Sequence, residues 1–184
     1  MIKNGDFIEQ MIDRGHIVGA VKDNINAASL NLTLGKEFKS FDYSMMGNIS
    51  LKHPEKVKYN TYFGSYNLRP AGFVLASSLE YFCMPDNIAA TLTMRSSAGR
   101  LGLDHYECGL FEPLFKGQGT FELTNNHDVF KIDGSKNETY IELNEGDIVI
   151  QAIFHEVNPV SEKYGYNFKG KYNGQRGTTV SLGI

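Results

Sequence analysis

Tryptophan is absent from this 184-residue chain, proline occurs five times and cysteine twice. Any aromatic wall or stacking platform must therefore come from its ten tyrosines and twelve phenylalanines. Two cysteines, Cys83 and Cys108, cannot build a disulfide framework, and neither belongs to a CxxC pair. Both are expected as reduced thiols in a cytoplasmic protein. No apolar run approaches the roughly 20 residues needed to cross a bilayer, and the opening Met1-Ile2-Lys3-Asn4 lacks the apolar heart of a signal peptide. Strong charge of either sign is missing too: a formal net charge of −3 gives no reason to expect nucleic acid or an anionic membrane as partner. The tail from Ser161 departs from this balance, with four basic side chains (Lys163, Lys169, Lys171, Arg176) against Glu162. Most such tails are simply solvated; the sharper reading is a segment that folds over a polyphosphate.

The length predicts one domain, residues 1–184, with a sizeable buried core. Phe7, Ile8, Met11 and Ile12 recur at helical spacing over Asp6–Asp13, and Gly15 supplies a stop. Beyond Ile25 the period changes to two. Leu30, Leu32 and Leu34 share one face of a strand, and further short strands are predicted over 72–82, 88–94, 119–124, 139–143 and 147–154. Polar turns such as Asn125-Asn126 separate them. Residues 41–66, irregular and rich in Tyr, Asn, Ser and Gly, predict a long loop with at most a weak strand. Many short strands with little helix indicate a barrel or sandwich. The glycine-rich segment 161–184 is expected to be a flexible tail.

Four blocks carry chemically versatile side chains. Arg95-Ser96-Ser97-Ala98-Gly99-Arg100-Leu101-Gly102 can hold an anion at one end and orient a carboxylate at the other. Glu112-Pro113-Leu114-Phe115-Lys116-Gly117 precedes Thr120-Phe121-Glu122, and Lys171-Tyr172-Asn173-Gly174-Gln175-Arg176-Gly177 lies in the tail. Singly, each has a plain explanation. Arg100 and Glu122 could form an ordinary salt bridge, Ser96-Ser97 a cap, Phe115 part of the core. His105-Tyr106-Glu107 fits the H-x-E half of a zinc deaminase signature, but P-C-x-x-C is missing, so zinc chemistry is not expected and His105 reads as a polar loop residue.

In this order, the blocks resemble the dCTP deaminase family of the dUTPase-like superfamily, whose pattern is R-S-S-x-x-R-x-G, D-P-G-F/W-x-G, a strand ending in L-E and a tail with K-Y-x-x-Q. Weaker likeness reaches the N-terminal half at Ser29–Gly35 and at Leu79-Glu80 with Pro85. The resemblance implies a mainly β fold, a dUTPase-like distorted β-barrel or jelly roll (β-clip) with a short N-terminal helix. It implies a homotrimer with sites at subunit boundaries, and a tail that closes over the site. It implies hydrolysis of dCTP to dUTP and ammonia, with Glu122 as general acid/base, Arg100 holding it, and Ser96 with a backbone carbonyl near Cys108 orienting the water. Arg95, Ser96, Ser97, Tyr164, Lys171 and Gln175 would contact phosphate oxygens. Glu112 and Phe115 would contact the deoxyribose. Mg²⁺ would arrive on the triphosphate, and dUTP and dTTP are further candidate ligands.

Two departures stand out. Asn31 replaces an aspartate of the family's first strand, and Glu112 with Leu114 replaces the Asp and Gly of D-P-G. In the bifunctional members the aspartate positions the water that attacks phosphorus. A longer carboxylate predicts that diphosphatase activity is weak or absent, and Leu114 predicts a different turn. A bifunctional enzyme giving dUMP, or a non-catalytic nucleotide-binding homologue, are the alternatives.

Overall fold

The computed structural model describes every residue except 46, 107–108, 162 and 167–169. Helix α1 (Gly5–Asp13) starts where the Asn4 side chain accepts from the Phe7 N–H at 3.2 Å. It stops where Gly15 takes φ +75°, which lets the N–H of His16 reach the Met11 carbonyl at 2.9 Å. Its apolar stripe buries Ile8 and Met11.

The strands are β1 (Ile17–Val18), β2 (Leu30–Phe41), β3 (Tyr59–Phe63), β4 (Ser65–Leu68), β5 (Phe73–Cys83) and β6 (Ile88–Met94), followed by the single turn α2 (Ser96–Gly99). Then come β7 (Leu103–His105), β8 (Leu110–Phe111), β9 (Lys116–Asn125), β10 (Ile141–Asn144) and β11 (Ile148–Glu156). Nine strands form one antiparallel sheet along β7-β9-β5-β2-β11-β6-β8, with β1 added on β5 and β3 on β2; β10 and β4 make a separate pair. Its ordering leaves β2 central, between β5 and β11.

This position explains why β2 departs from simple alternation. Leu30, Leu32 and Leu34 are fully buried as their spacing predicts, yet Asn31 and Thr33 on the other face are nearly as enclosed. Asn31 finds a donor in the Asn26 amide at 3.1 Å. A neutral side chain suits this place, because an aspartate would bring a charge needing its own compensation.

Register shifts interrupt β2 against both neighbours, between Leu34 and Phe38 towards β5 and between Ile148 and Ile150 on β11. Gly35 lies in the first interruption, where a Cβ would come within 2.6 Å of Ser77 Oγ. The Thr33 N–H donates instead to the carboxylate of Glu80, at 3.0 and 3.2 Å, and the Thr33 hydroxyl donates to the same group. Glu80 is fully buried, and burial pushes its carboxyl above the ordinary value, against the opposing pull of the Thr33 hydrogen bonds. A carboxyl raised in the fold contributes stability that is complete below the unfolded value of 4.5 and is lost as pH rises through the folded one. The melting temperature of Glu80→Gln should therefore gain on that of wild type as pH rises from about 4.5 towards neutrality. Glu80→Ala, which strands the Thr33 N–H, should cost about 1–3 kcal/mol. Parallel pH dependence of wild type and Glu80→Gln in thermal melts would refute the assignment.

The segment predicted as a loop over 41–66 contains β3 and the start of β4, joined at Gly64 with φ +83° but paired with different partners, β3 with β2 and β4 with β10. Its strands escaped notice because their residues are mostly exposed and carry no apolar alternation. Asn125, expected in a turn, is instead buried at the end of β9, donating to the carbonyls of Leu68 at 2.9 Å and Thr139 at 3.0 Å.

Candidate active site

Strand β9 sets the site. Its buried Gly117, Gly119, Phe121, Leu123 and Asn125 alternate with partly open Gln118, Thr120, Glu122 and Thr124. Glu122 lies opposite Leu75 of β5, with Phe73 opposite Thr124. Thr120, Glu122, Leu75 and Phe73 form part of the wall of a cavity of about 420 Å³, a size within the range of small-molecule sites.

Aromatic rings supply most of the remaining wall. Phe41 stacks on Phe73 at 5.1 Å and tilts against Tyr59 at 5.2 Å. On the other side Phe111 and Phe115 stack at 4.8 Å, and Tyr166 meets Phe115 edge-on at 5.2 Å. Phe115 is thus both core and wall, being 3% exposed. Burial raises the hydroxyl pKa of Tyr59, with a smaller push from Tyr172. It raises that of Tyr166 too, against the opposing pull of the Tyr172 N–H that donates to its oxygen and with a smaller push from Glu112. Both hydroxyls stay protonated at neutral pH and can donate.

The tail lies along the open side. The N–H of Gln118 donates to the Gln175 carbonyl at 3.1 Å, and the N–H of Gly177 to Gln118 Oε1 at 2.7 Å. Thr178 is buried, its carbonyl accepting from Lys39 Nζ at 2.6 Å and its hydroxyl donating to the Glu37 carbonyl at 2.5 Å. Gln175, Thr179, Val180 and Ser181 thereby join the cavity lining.

The residues singled out from sequence divide into two groups. Glu122, Phe115 and Gln175 meet at the cavity. Arg95, Ser96, Ser97 and Arg100 lie on and beside α2, largely exposed and outside that lining. Among the described residues Arg100 makes no ion pair with Glu122. Lys171 Nζ donates to the Gly183 carbonyl at 2.9 Å, within the tail itself. Tyr164 is exposed with the Lys163 ammonium 5.2 Å from its ring, and Glu112 is exposed at the mouth of its turn. Neither lines the cavity. Cys108 falls outside the described residues. Sequence reading passed over Tyr59, Tyr166 and Val180, which do line it, whereas Thr120, beside Glu122, and Tyr172, inside the K-Y-x-x-Q block, lay in blocks that carried a signal without being assigned a role.

Two local expectations are corrected. Leu114 does not force a different turn. It takes φ +67°, with the Phe115 N–H donating to the Glu112 carbonyl at 3.1 Å. Proline second and a left-handed residue third is the arrangement of a type II turn, normally completed by glycine, and Leu114 adopts it at a steric cost. His105 is not a loop residue. It ends β7, is 4% exposed, and turns its Nε2 to within 3.5 Å of Glu122 Oε2. Pairing between His105 and Leu123 on β9 brings it there.

A family model described as dCTP deaminase-like matches residues 2–157. The chain belongs to the dCTP deaminase-like family. A dUMP-forming dCTP deaminase of Corynebacterium kroppenstedtii is 33% identical over 98% of this chain and 96% of its own. A dCTP deaminase of Haloarcula marismortui is 30% identical over 98% and 88%. More of the similar curated dCTP deaminases carry the dUMP-forming name than the shorter one. In fold, the chain superposes on the crystal structure of 2′-deoxycytidine 5′-triphosphate deaminase from Agrobacterium tumefaciens with a TM-score of 0.65, at 17% identity and over 85% of this chain. The match spans 49% of that longer chain. The dCTP deaminase-like fold here is accordingly a mainly β, curled antiparallel sheet with few helices.

Proposed function

We propose that the protein deaminates dCTP hydrolytically, dCTP + H2O giving dUTP + NH3, with Glu122 as the single general acid/base. One observation carries the reading: among the described residues, Glu122 is the only carboxylate lining the aromatic cavity. Glu122 takes a proton from water as the oxygen bonds to C4 of cytosine, and passes that proton to N3. It then moves the hydroxyl proton to the amino nitrogen, the C4–N bond breaks, and ammonia leaves. One group serves both directions, and the sequence holds no P-C-x-x-C to bring zinc to the base.

The cavity lining holds no lysine or arginine among the described residues, which leaves the triphosphate without counter-charge inside one chain. Half-buried Arg95 and exposed Ser96, Ser97 and Arg100 supply what is missing if they belong to a neighbouring subunit's site. This supports a homotrimer with sites at the boundaries. Arg100 of one copy would then hold Glu122 of another, Ser96 and the carbonyl near Cys108 would orient the water, and Tyr164, Lys171 and Gln175 would grip phosphates as the tail closes. Phe115 and Glu112 would bound the deoxyribose. Magnesium enters on the triphosphate as part of the substrate. dTTP, sharing the sugar and phosphates, would compete or regulate at the same place. Reduced thiols and a near-neutral charge fit a cytoplasmic enzyme.

A second reading, onward hydrolysis to dUMP and pyrophosphate, is favoured by the names of the relatives. Incubation with dCTP and Mg²⁺, following ammonia and pyrophosphate separately, decides. Ammonia without pyrophosphate is the expected result. Equal release of both supports the second reading, and binding with neither product makes the protein a non-catalytic nucleotide binder.

A further inference from the structure

Among the described residues, buried Glu122 Oε2 has no hydrogen-bond partner, and neither has either ring nitrogen of His105. The His105 side chain is 1% exposed, and its Nε2 lies 3.5 Å from that oxygen. Leaving three such atoms unpaired beside each other is costly, whereas a small approach would pair two of them. Hydrogen bonds around catalytic groups are often long before substrate binds and tighten in the complex.

Building on the deaminase reading above, we propose that His105 is a positioning residue for Glu122: with dCTP bound, its Nε2–H donates to Oε2 and locks the carboxylate in the orientation that leaves the other oxygen free for water and N3. A neutral imidazole carries one N–H, and of its two nitrogens Nε2 is the one that faces an acceptor, which selects the Nε2–H tautomer. The ring itself is held. Phe121 meets it edge-on at 6.0 Å, and a Cβ on Gly109 would come within 3.3 Å of its Cε1. His105 does not line the cavity, whereas Gly109 does, so the imidazole stands behind the carboxylate rather than against the base. No proton leaves His105 in the cycle. A carboxylate has about four lone-pair sites, so His105 and an arginine from a second copy can both donate while one site accepts from water.

Three substitutions test this in the full-length protein: His105→Phe keeps ring and packing without a donor, His105→Gln carries an N–H to roughly the Nε2 position, and His105→Asn reaches only as far as Nδ1. Ammonia release from dCTP is measured as kcat and KM, with a thermal melt for each protein. His105→Phe and His105→Asn should lose about 10²-fold in kcat, the scale of a 1 Å misplacement, with KM changed less than about threefold. His105→Gln should recover to within about fivefold of wild type by restoring the donor. Equal kcat for the Gln and Asn proteins overturns the proposal, as does loss that follows melting temperature or KM alone. If His105→Phe fails to fold, the Gln–Asn comparison still decides. Wild type that releases no ammonia sinks the deaminase reading and this role with it; active wild type with indifferent variants sinks only the role.

Discussion

Glu122→Gln should bind dCTP and release ammonia at least about 10²–10⁴ times more slowly than wild type, the usual worth of a positioned general acid–base group. Glutamine keeps the size and one acceptor oxygen of glutamate but cannot carry a proton from water to N3. Its neighbours would be little disturbed, because Glu122 sits on the partly open face of β9 and its buried flanking residues point the other way. Affinity should survive because the aromatic walls and the tail supply the enclosure. No substitute is at hand, since Glu112 lies outside the lining and His105 stands behind the carboxylate rather than in the cavity. A coupled ammonia assay and titration calorimetry read the two quantities separately. Turnover within tenfold of wild type would remove Glu122 from its role. Abolished binding would show the carboxylate holding substrate rather than moving protons.

Regular alternation made the centre of the sheet legible. Leu30, Leu32 and Leu34, the run 88–94 and the strand bearing Glu122 all carry one apolar face, and one face against a core is what a period of two reports. Its failures share a cause. β3 and β4 are mostly exposed and polar, so pairing, with β2 and β10 respectively, rather than burial defines them. β7 and β8 are three and two residues long, too short to show any period, and His105 was misread because its strand was invisible. The cavity was only half legible. Glu122, Phe115 and Gln175 came from spaced blocks, but Phe41, Tyr59 and Phe73 converge from strands far apart in sequence, and no local pattern announces such a meeting. Leu114 taught the converse lesson. Its side chain argued against a left-handed turn, yet the proline before it and the Phe115–Glu112 hydrogen bond outweigh that preference.

Shortening one carboxylate should switch on the second reaction: Glu112→Asp is expected to raise pyrophosphate release by about 10²-fold, the scale set by moving a catalytic group about 1 Å. The backbone at this point has little freedom to compensate for length. Pro113 fixes one dihedral, and the Phe115 N–H closes the turn on the Glu112 carbonyl. Reach is thus set by the side chain alone, and the extra methylene carries the carboxylate past the place an aspartate would occupy. Glu112 is exposed, so the exchange should leave folding intact. Adding Leu114→Gly to Glu112→Asp separates the two departures from D-P-G. Because Leu114 already holds φ +67°, glycine changes no backbone direction, and the double variant should match the single in pyrophosphate release. Ammonia release should change little in either, since deamination runs through Glu122. Pyrophosphate and ammonia from dCTP, measured side by side, give the answer. Wild type that already yields both at equal rates would show that carboxylate length does not restrain the phosphate step, and would place this chain functionally with its dUMP-forming relatives.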